Sequence, residues 1–146
     1  MNLTIRLATI DDVPAILKIY AAALDNNVLS IQDAQKIFIQ QSKYPDYHVF
    51  LAEMDNEAVG TFALLVMENM AHMGTPSAVV EDVGVVPGLQ GKGIGKKMME
   101  YALQYAKEKG CYKMSLSSNL RRDQAHQFYE SLGFKKHGFS FLMELA

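Results

Sequence analysis

The chain has 146 residues, 14 basic and 16 acidic side chains, a formal charge of −2 and 49% apolar residues. That length and composition fit a single self-burying domain over residues 1–146 and exclude a mainly disordered chain. The near-zero charge gives no electrostatic reason for nucleic acid as a partner, and no run of about 18 apolar residues is present to cross a membrane.

The opening Met1-Asn2-Leu3-Thr4-Ile5-Arg6 lacks the apolar stretch of a secretion signal. Cys111 is the only cysteine, so an internal disulfide or thiolate zinc site is excluded and a reducing cytoplasm is the expected compartment. Cys111 itself reads as a small packing residue rather than a nucleophile, because no His or Asp motif accompanies it.

Leu3 to Leu7 alternates with the period of a half-buried strand. Thr9-Ile10-Asp11-Asp12 has the form of a capping box, with Pro14 in the first turn of the helix it opens. Val13, Ile16, Leu17, Tyr20 and Leu24 recur at helical spacing. A second helix is predicted from about Ser30 to Gln41. His48–Glu53 and Ala58–Met67 read as strands joined by a tight reversal at Asp55-Asn56-Glu57, hence an antiparallel hairpin. Glu68–Pro76 reads as an irregular loop.

Ala78–Val86 is β-branched and reads as a central strand. A glycine-rich turn and a long helix to about Lys109 follow, stopped by Gly110. Tyr112–Ser117 is predicted to be a further strand, parallel to Ala78–Val86 because a helix connects the two. A short helix spans about Arg122 to Ser131, and Phe134–Leu145 offers one or two closing strands. The fold class is therefore α/β (α+β), a mixed sheet with about four helices on its faces.

Gln90-Gly91-Lys92-Gly93-Ile94-Gly95 lies between strand and helix. Glycine lets backbone approach a ligand closely, and the first helical turn leaves N–H groups unpaired with a partial positive charge behind them. Together these form a receptor for phosphate or diphosphate, with Lys92 and Lys96 adding charge. A dinucleotide fingerprint does not fit, because Gly95 comes one residue early. A Walker A loop does not fit either, because Ile94 occupies the lysine position.

The turn does match [RQ]-x-x-G-x-[GA], through Gln90, Gly93 and Gly95. In this it resembles the diphosphate loop of the GNAT superfamily of N-acetyltransferases. Glu81-Asp82-Val83-Gly84-Val85-Val86-Pro87 resembles the family's preceding strand. Asn119, Ala125 and Phe128-Tyr129-Glu130-Ser131-Leu132-Gly133-Phe134 resemble its N…A…FYxxxGF segment. The likeness extends over nearly the whole chain. Ser115–Leu145 is similar to aminoalkylphosphonate acetyltransferases, while Glu81-Asp82 and Gly110-Cys111-Tyr112-Lys113 are similar to glucosamine-6-phosphate acetyltransferases.

The resemblance implies a mostly antiparallel sheet of six to seven strands, acetyl-CoA as acetyl donor, and a primary amine of a small molecule as acceptor, phosphate- or phosphonate-bearing in those relatives. It implies a cofactor site at Val83, Gly84, Val85, Gln90, Gly91, Lys92, Gly93, Ile94, Gly95 and Asn119, and a cleft where the Val83–Val85 strand parts from Tyr112–Ser117. Gly84, inside a β-branched strand, marks a bulge or a close backbone approach.

Tyr129 is the implied general acid, since a phenol of pKa ~10 can donate to a thiolate whose conjugate acid lies near ~8.5. On the bare sequence Tyr129 also falls on the apolar stripe of its helix. Glu81 is the first choice for base, acting directly or through a water, with Asp82 the rival; strand alternation sends the two to opposite faces. Asp82, His72, Arg121 and Arg122 are the substrate candidates, although exposed arginines are common and Asn119 could equally serve a turn. His48, His126 and His137 have no metal-ligand spacing, so no metal is expected. Competing readings are a peptide or protein N-acetyltransferase and a non-catalytic acyl-CoA-binding module. A homodimer is a further expectation, because C-terminal strands of similar proteins pair across subunits.

Overall fold

Alternating apolar residues build strand β1 (Leu3–Leu7), and Thr9 starts the first helix in the way its spacing predicts. The Thr9 amide donates to Asp12 Oδ2 at 2.7 Å, and a single 3-10 turn leads into α1 (Val13–Ala23). Ser30 caps α2 (Ile31–Gln41) by accepting the Asp33 amide at 3.2 Å. Strands β2 (Tyr47–Met54) and β3 (Glu57–Met67) form the predicted hairpin. Asp55 and Asn56 both have positive φ, +53° and +67°, the two-residue turn that matches strand twist. β4 (Ser77–Val85), α3 (Ile94–Glu108), β5 (Met114–Ser115) and α4 (Asp123–Ser131) complete the elements.

The computed structural model describes residues 2–25 and 27–146. They fall into two compact units, divided between Ser115 and Leu116. The first holds a five-stranded sheet in chain order, antiparallel from β1 to β4 with β5 parallel to β4.

Alternation along β2 sends successive side chains to opposite faces. Val49 and Leu51 pack with Ile16 and Ile19 of α1 on one face. On the other, Phe50 stacks on Phe62 at 5.1 Å and meets Tyr101 and Tyr105 of α3 edge-on. Thr61, fully buried, donates its hydroxyl to the Phe50 carbonyl at 2.7 Å, so its polar atom carries no desolvation debt. Helices therefore cover both faces, and the glycine turn follows β4, inside the sheet order.

Arg6 ties β1 to the start of α1. Its guanidinium donates to Asp12 at 2.7 and 2.9 Å and to Glu53 at 2.6 Å. Hydrogen bonding to Arg6, helped by the Thr9 amide, lowers the Asp12 carboxyl from 3.8 to about 2. A depressed folded-state pKa adds stability that is complete above the ordinary value and is lost as pH falls through about 2. Asp12→Asn should cost about 1 kcal/mol near neutrality, a modest figure because solvent screens the exposed Arg6. The cost should shrink as acid protonates wild-type Asp12, and urea midpoints measured across the acid range check this.

The expectation of six to seven strands is corrected to five. Tyr112–Ser117 contributes only the two residues of β5, and Phe134–Leu145 forms no strand. Alternation in a sequence supplies a strand's faces but not its ladder partner, and an extended segment without one has no independent stability. Side chains of Phe139, Phe141, Leu142, Met143 and Leu145 stand exposed along that stretch.

Candidate active site

β4 carries one extra residue. Thr61 pairs with Gly84 and Ala63 with Glu81, so two steps along β3 face three along β4. The bulge falls at Asp82, whose φ of +54° is an uncommon backbone for a non-glycine residue. Gly84 is not the bulge. A Cβ there would lie 3.3 Å from Ile19 and 3.4 Å from Ala23, so its missing side chain is what lets α1 press onto the strand.

The bulge also interrupts the alternation expected to separate Glu81 from Asp82. Burial raises the Tyr47 phenol, and the charges of both carboxylates raise it further, Asp82 more than Glu81. Both are exposed.

The β4–β5 ladder consists of Ala78 with Met114 and Val79 with Ser115. β4 continues to Val85, so the Val83–Val85 backbone lies outside that ladder.

The chain then enters the glycine turn. Gln90 Nε2 donates to the Val85 carbonyl at 3.4 Å, tying the loop to the end of β4. Gly91 and Gly93 have φ of +81° and +85°, and nothing lies within 4 Å of where a Cβ would stand on either. Glycine is required here by backbone conformation rather than by crowding, and the space beside it is open. Gly93 caps α3, and the Lys97 amide bonds its carbonyl at 3.1 Å. The amides before Lys97 have no partner within the helix. Ile94 is buried, so only its backbone can meet a ligand, whereas Lys92 and Lys96 are exposed.

A cavity of about 320 Å³ opens between α1 and α2. Ile16 and Leu17 of α1, Ile37 and Phe38 of α2, and Val49 of β2 give it apolar walls, while Tyr20, Gln41, Asp25 and Asp82 supply polar groups. Burial, then the Asp82 charge, pushes the Tyr20 phenol well above its ordinary value, so it stays protonated. Of the carboxylates singled out from sequence, Asp82 lines this cavity and Glu81 does not. The sequence reading missed the cavity. Tyr20 recurs at helical spacing with apolar residues, and nothing local marks Asp25 as a cavity residue.

His72 lies elsewhere, in a tight turn with φ of +52°, its ring against Tyr112 at 4.6 Å. The Cys111 thiol is raised by burial and by Asp46, away from thiolate character.

In the unit of residues 116–146, Asn119 serves a turn. Its side-chain oxygen accepts the Arg121 amide at 2.9 Å, and its carbonyl accepts the Arg122 amide at 3.0 Å and contacts His126 Nε2 at 2.7 Å. Arg121 and Arg122 are exposed. Tyr129 is half-buried beside Phe128 and Phe134 at 5.2 and 5.7 Å. Burial raises its phenol, partly offset by Arg122.

The family model described as acetyltransferase (GNAT) family matches residues 14–134, taking in the β4 bulge, the glycine turn and Tyr129. The chain belongs to that family. This acetyltransferase is therefore an acyltransferase enzyme. It is 29% identical over 141 residues to an aminoalkylphosphonate N-acetyltransferase of Salmonella typhimurium, covering 97% of this chain and 90% of that one. It is 33% identical over 89 residues to a glucosamine 6-phosphate N-acetyltransferase of Trypanosoma brucei brucei, covering 61% and 58%. A solved structure of a putative acetyltransferase from Agrobacterium tumefaciens superposes with a TM-score of 0.92 at 27% identity, over 97% of this chain and 99% of that one. Among the described residues, no helix is long and apolar enough to cross a membrane.

Proposed function

We propose that the enzyme transfers an acetyl group from acetyl-CoA to a primary amine of a small molecule, residues 1–146 acting as one catalytic domain. The observation that carries this reading is the left-handed pair Gly91 and Gly93, which opens space at the unpaired amides of α3. Such amides, with the helix dipole behind them, favour a diphosphate, and Lys92 and Lys96 add charge. Acetyl-CoA supplies the thioester electrophile. Backbone groups of Val83, Gly84 and Val85 are free of the β5 ladder to hold its arm and polarise the carbonyl. Asn119 is a further candidate for holding the cofactor arm.

Two proton movements complete the chemistry. Glu81 takes a proton from the amine, through a water, as the nitrogen attacks. Tyr129 gives its phenolic proton to the departing thiolate sulfur. A phenol raised by burial stays protonated through neutrality, as a donor must. Arg121, Arg122 and His72 are the further candidates for substrate contact. A lone cysteine without a disulfide fits work in the cytoplasm. The exposed apolar run from Phe139 to Leu145 is what a second copy would cover in a homodimer.

The test is thiol release from acetyl-CoA across a panel of amines, with the product identified by mass. Acetylated amine and stoichiometric thiol are the expected result. Coenzyme A binding without turnover of any amine would instead indicate a binding module.

A further inference from the structure

We propose that the cavity between α1 and α2 takes the acceptor as an ammonium cation on an uncharged apolar body, held by Asp82, and turns away amines that carry a phosphate or phosphonate. This rests on the acetyl-transfer reading and names the substrate class of that site.

The cavity's chemistry points one way. Its charged lining side chains are Asp25 and Asp82, both carboxylates, and no Lys, Arg or His lines it. Asp82 has no ion-pair partner among the described residues. Its charge falls instead on the phenols of Tyr20 and Tyr47. A phosphate dianion entering here would lose water and meet like charge, with no cation to replace its hydration. An alkylammonium, the dominant form of a free amine at neutral pH, meets an uncompensated carboxylate, aromatic rings at Tyr20 and Phe38, and apolar walls for its body. The volume of about 320 Å³ suits a small ligand.

Position links the cavity to the reaction. Asp82 is the residue next to Val83, where the acetyl arm is held in the proposed mechanism. In this proposal an amine gripped by Asp82 is presented to that carbonyl, and its ammonium proton passes through water to Glu81 before the neutral nitrogen attacks. Asp82 takes left-handed backbone at the β4 bulge, a conformation that Asp and Asn adopt more readily than other side chains.

The experiment compares phenethylamine with 2-aminoethylphosphonate and glucosamine 6-phosphate at saturating acetyl-CoA. Phenethylamine should show the highest kcat/KM, by about tenfold or more, the worth of one charge-assisted bond gained or refused. Asp82→Asn keeps a residue type that tolerates left-handed backbone while removing the charge. It should raise the KM for phenethylamine about tenfold and leave coenzyme A affinity and the melting temperature unchanged. Preference for either phosphorus-bearing amine, or an unchanged KM in Asp82→Asn, overturns this inference and leaves acetyl transfer standing. Calorimetric titration of phenethylamine in the presence of coenzyme A reads the cavity without turnover. Binding that Asp82→Asn weakens supports the inference even if no thiol is released, in which case the acetyl-transfer reading alone fails. Absence of binding overturns the inference.

Discussion

Gly93→Val should weaken acetyl-CoA binding by about 10–100-fold, the equivalent of the 1–3 kcal/mol that left-handed backbone costs a side chain. Gly93 stands at φ +85° where α3 begins, and nothing crowds it. A valine there must either bear that strain or rotate the peptide, and rotation turns the first amides of α3 away from the diphosphate. A β-branched side chain would also occupy the open space the ligand needs. Titration calorimetry with coenzyme A measures the loss. Gly110→Val is the matched control, since Gly110 has φ +80° and follows the last turn of the same helix. It should lower stability without changing coenzyme A affinity. Equal loss of affinity in the two variants would show that general destabilisation is responsible, and would remove the glycine turn from the binding site.

Tyr129→Phe should lower kcat by about 10²–10⁴-fold, the usual contribution of a positioned proton donor. The KM for acetyl-CoA should stay near its wild-type value, because a hydroxyl used only as the thiolate leaves contributes little to ground-state binding. The ring keeps its packing against Phe128 and Phe134, so thermal stability should change little. The size of the effect should depend on the leaving thiol: a donor of more acidic thiol than coenzyme A needs less protonation and should recover part of the lost rate. Unchanged kcat, with coenzyme A as leaving group, would return Tyr129 to a purely structural role.

Local chemistry made several features readable in the chain itself. Thr9 to Asp12 announces a helix start because a side-chain oxygen and a backbone amide three residues apart satisfy each other, and that bond is present. Asp55-Asn56 marks the hairpin because few residues tolerate two consecutive positive φ values. The glycine turn is legible for the same reason. Gly91 and Gly93 are conformational necessities that a sequence states directly, and they point to a diphosphate before any fold is known.

What lay beyond the sequence depends on partners distant along the chain. Gly84 reads from sequence as a bulge or a close backbone approach, and the approach is that of α1, some sixty residues upstream. Regular alternation runs through Glu81 and Asp82 in the sequence, yet the register with β3 puts a bulge there. The apolar alternation of Phe134–Leu145 promised strands, but a strand needs a neighbouring ladder that no local pattern can supply. By itself, then, the sequence determined the four helices and the first four strands, the caps and turns that bound them, and the family motifs, since these follow from bonds and patterns spanning a few residues. Only the tertiary structure decided the cavity between α1 and α2 and the carboxylate that lines it, because a cavity is the space left when separately coded surfaces meet.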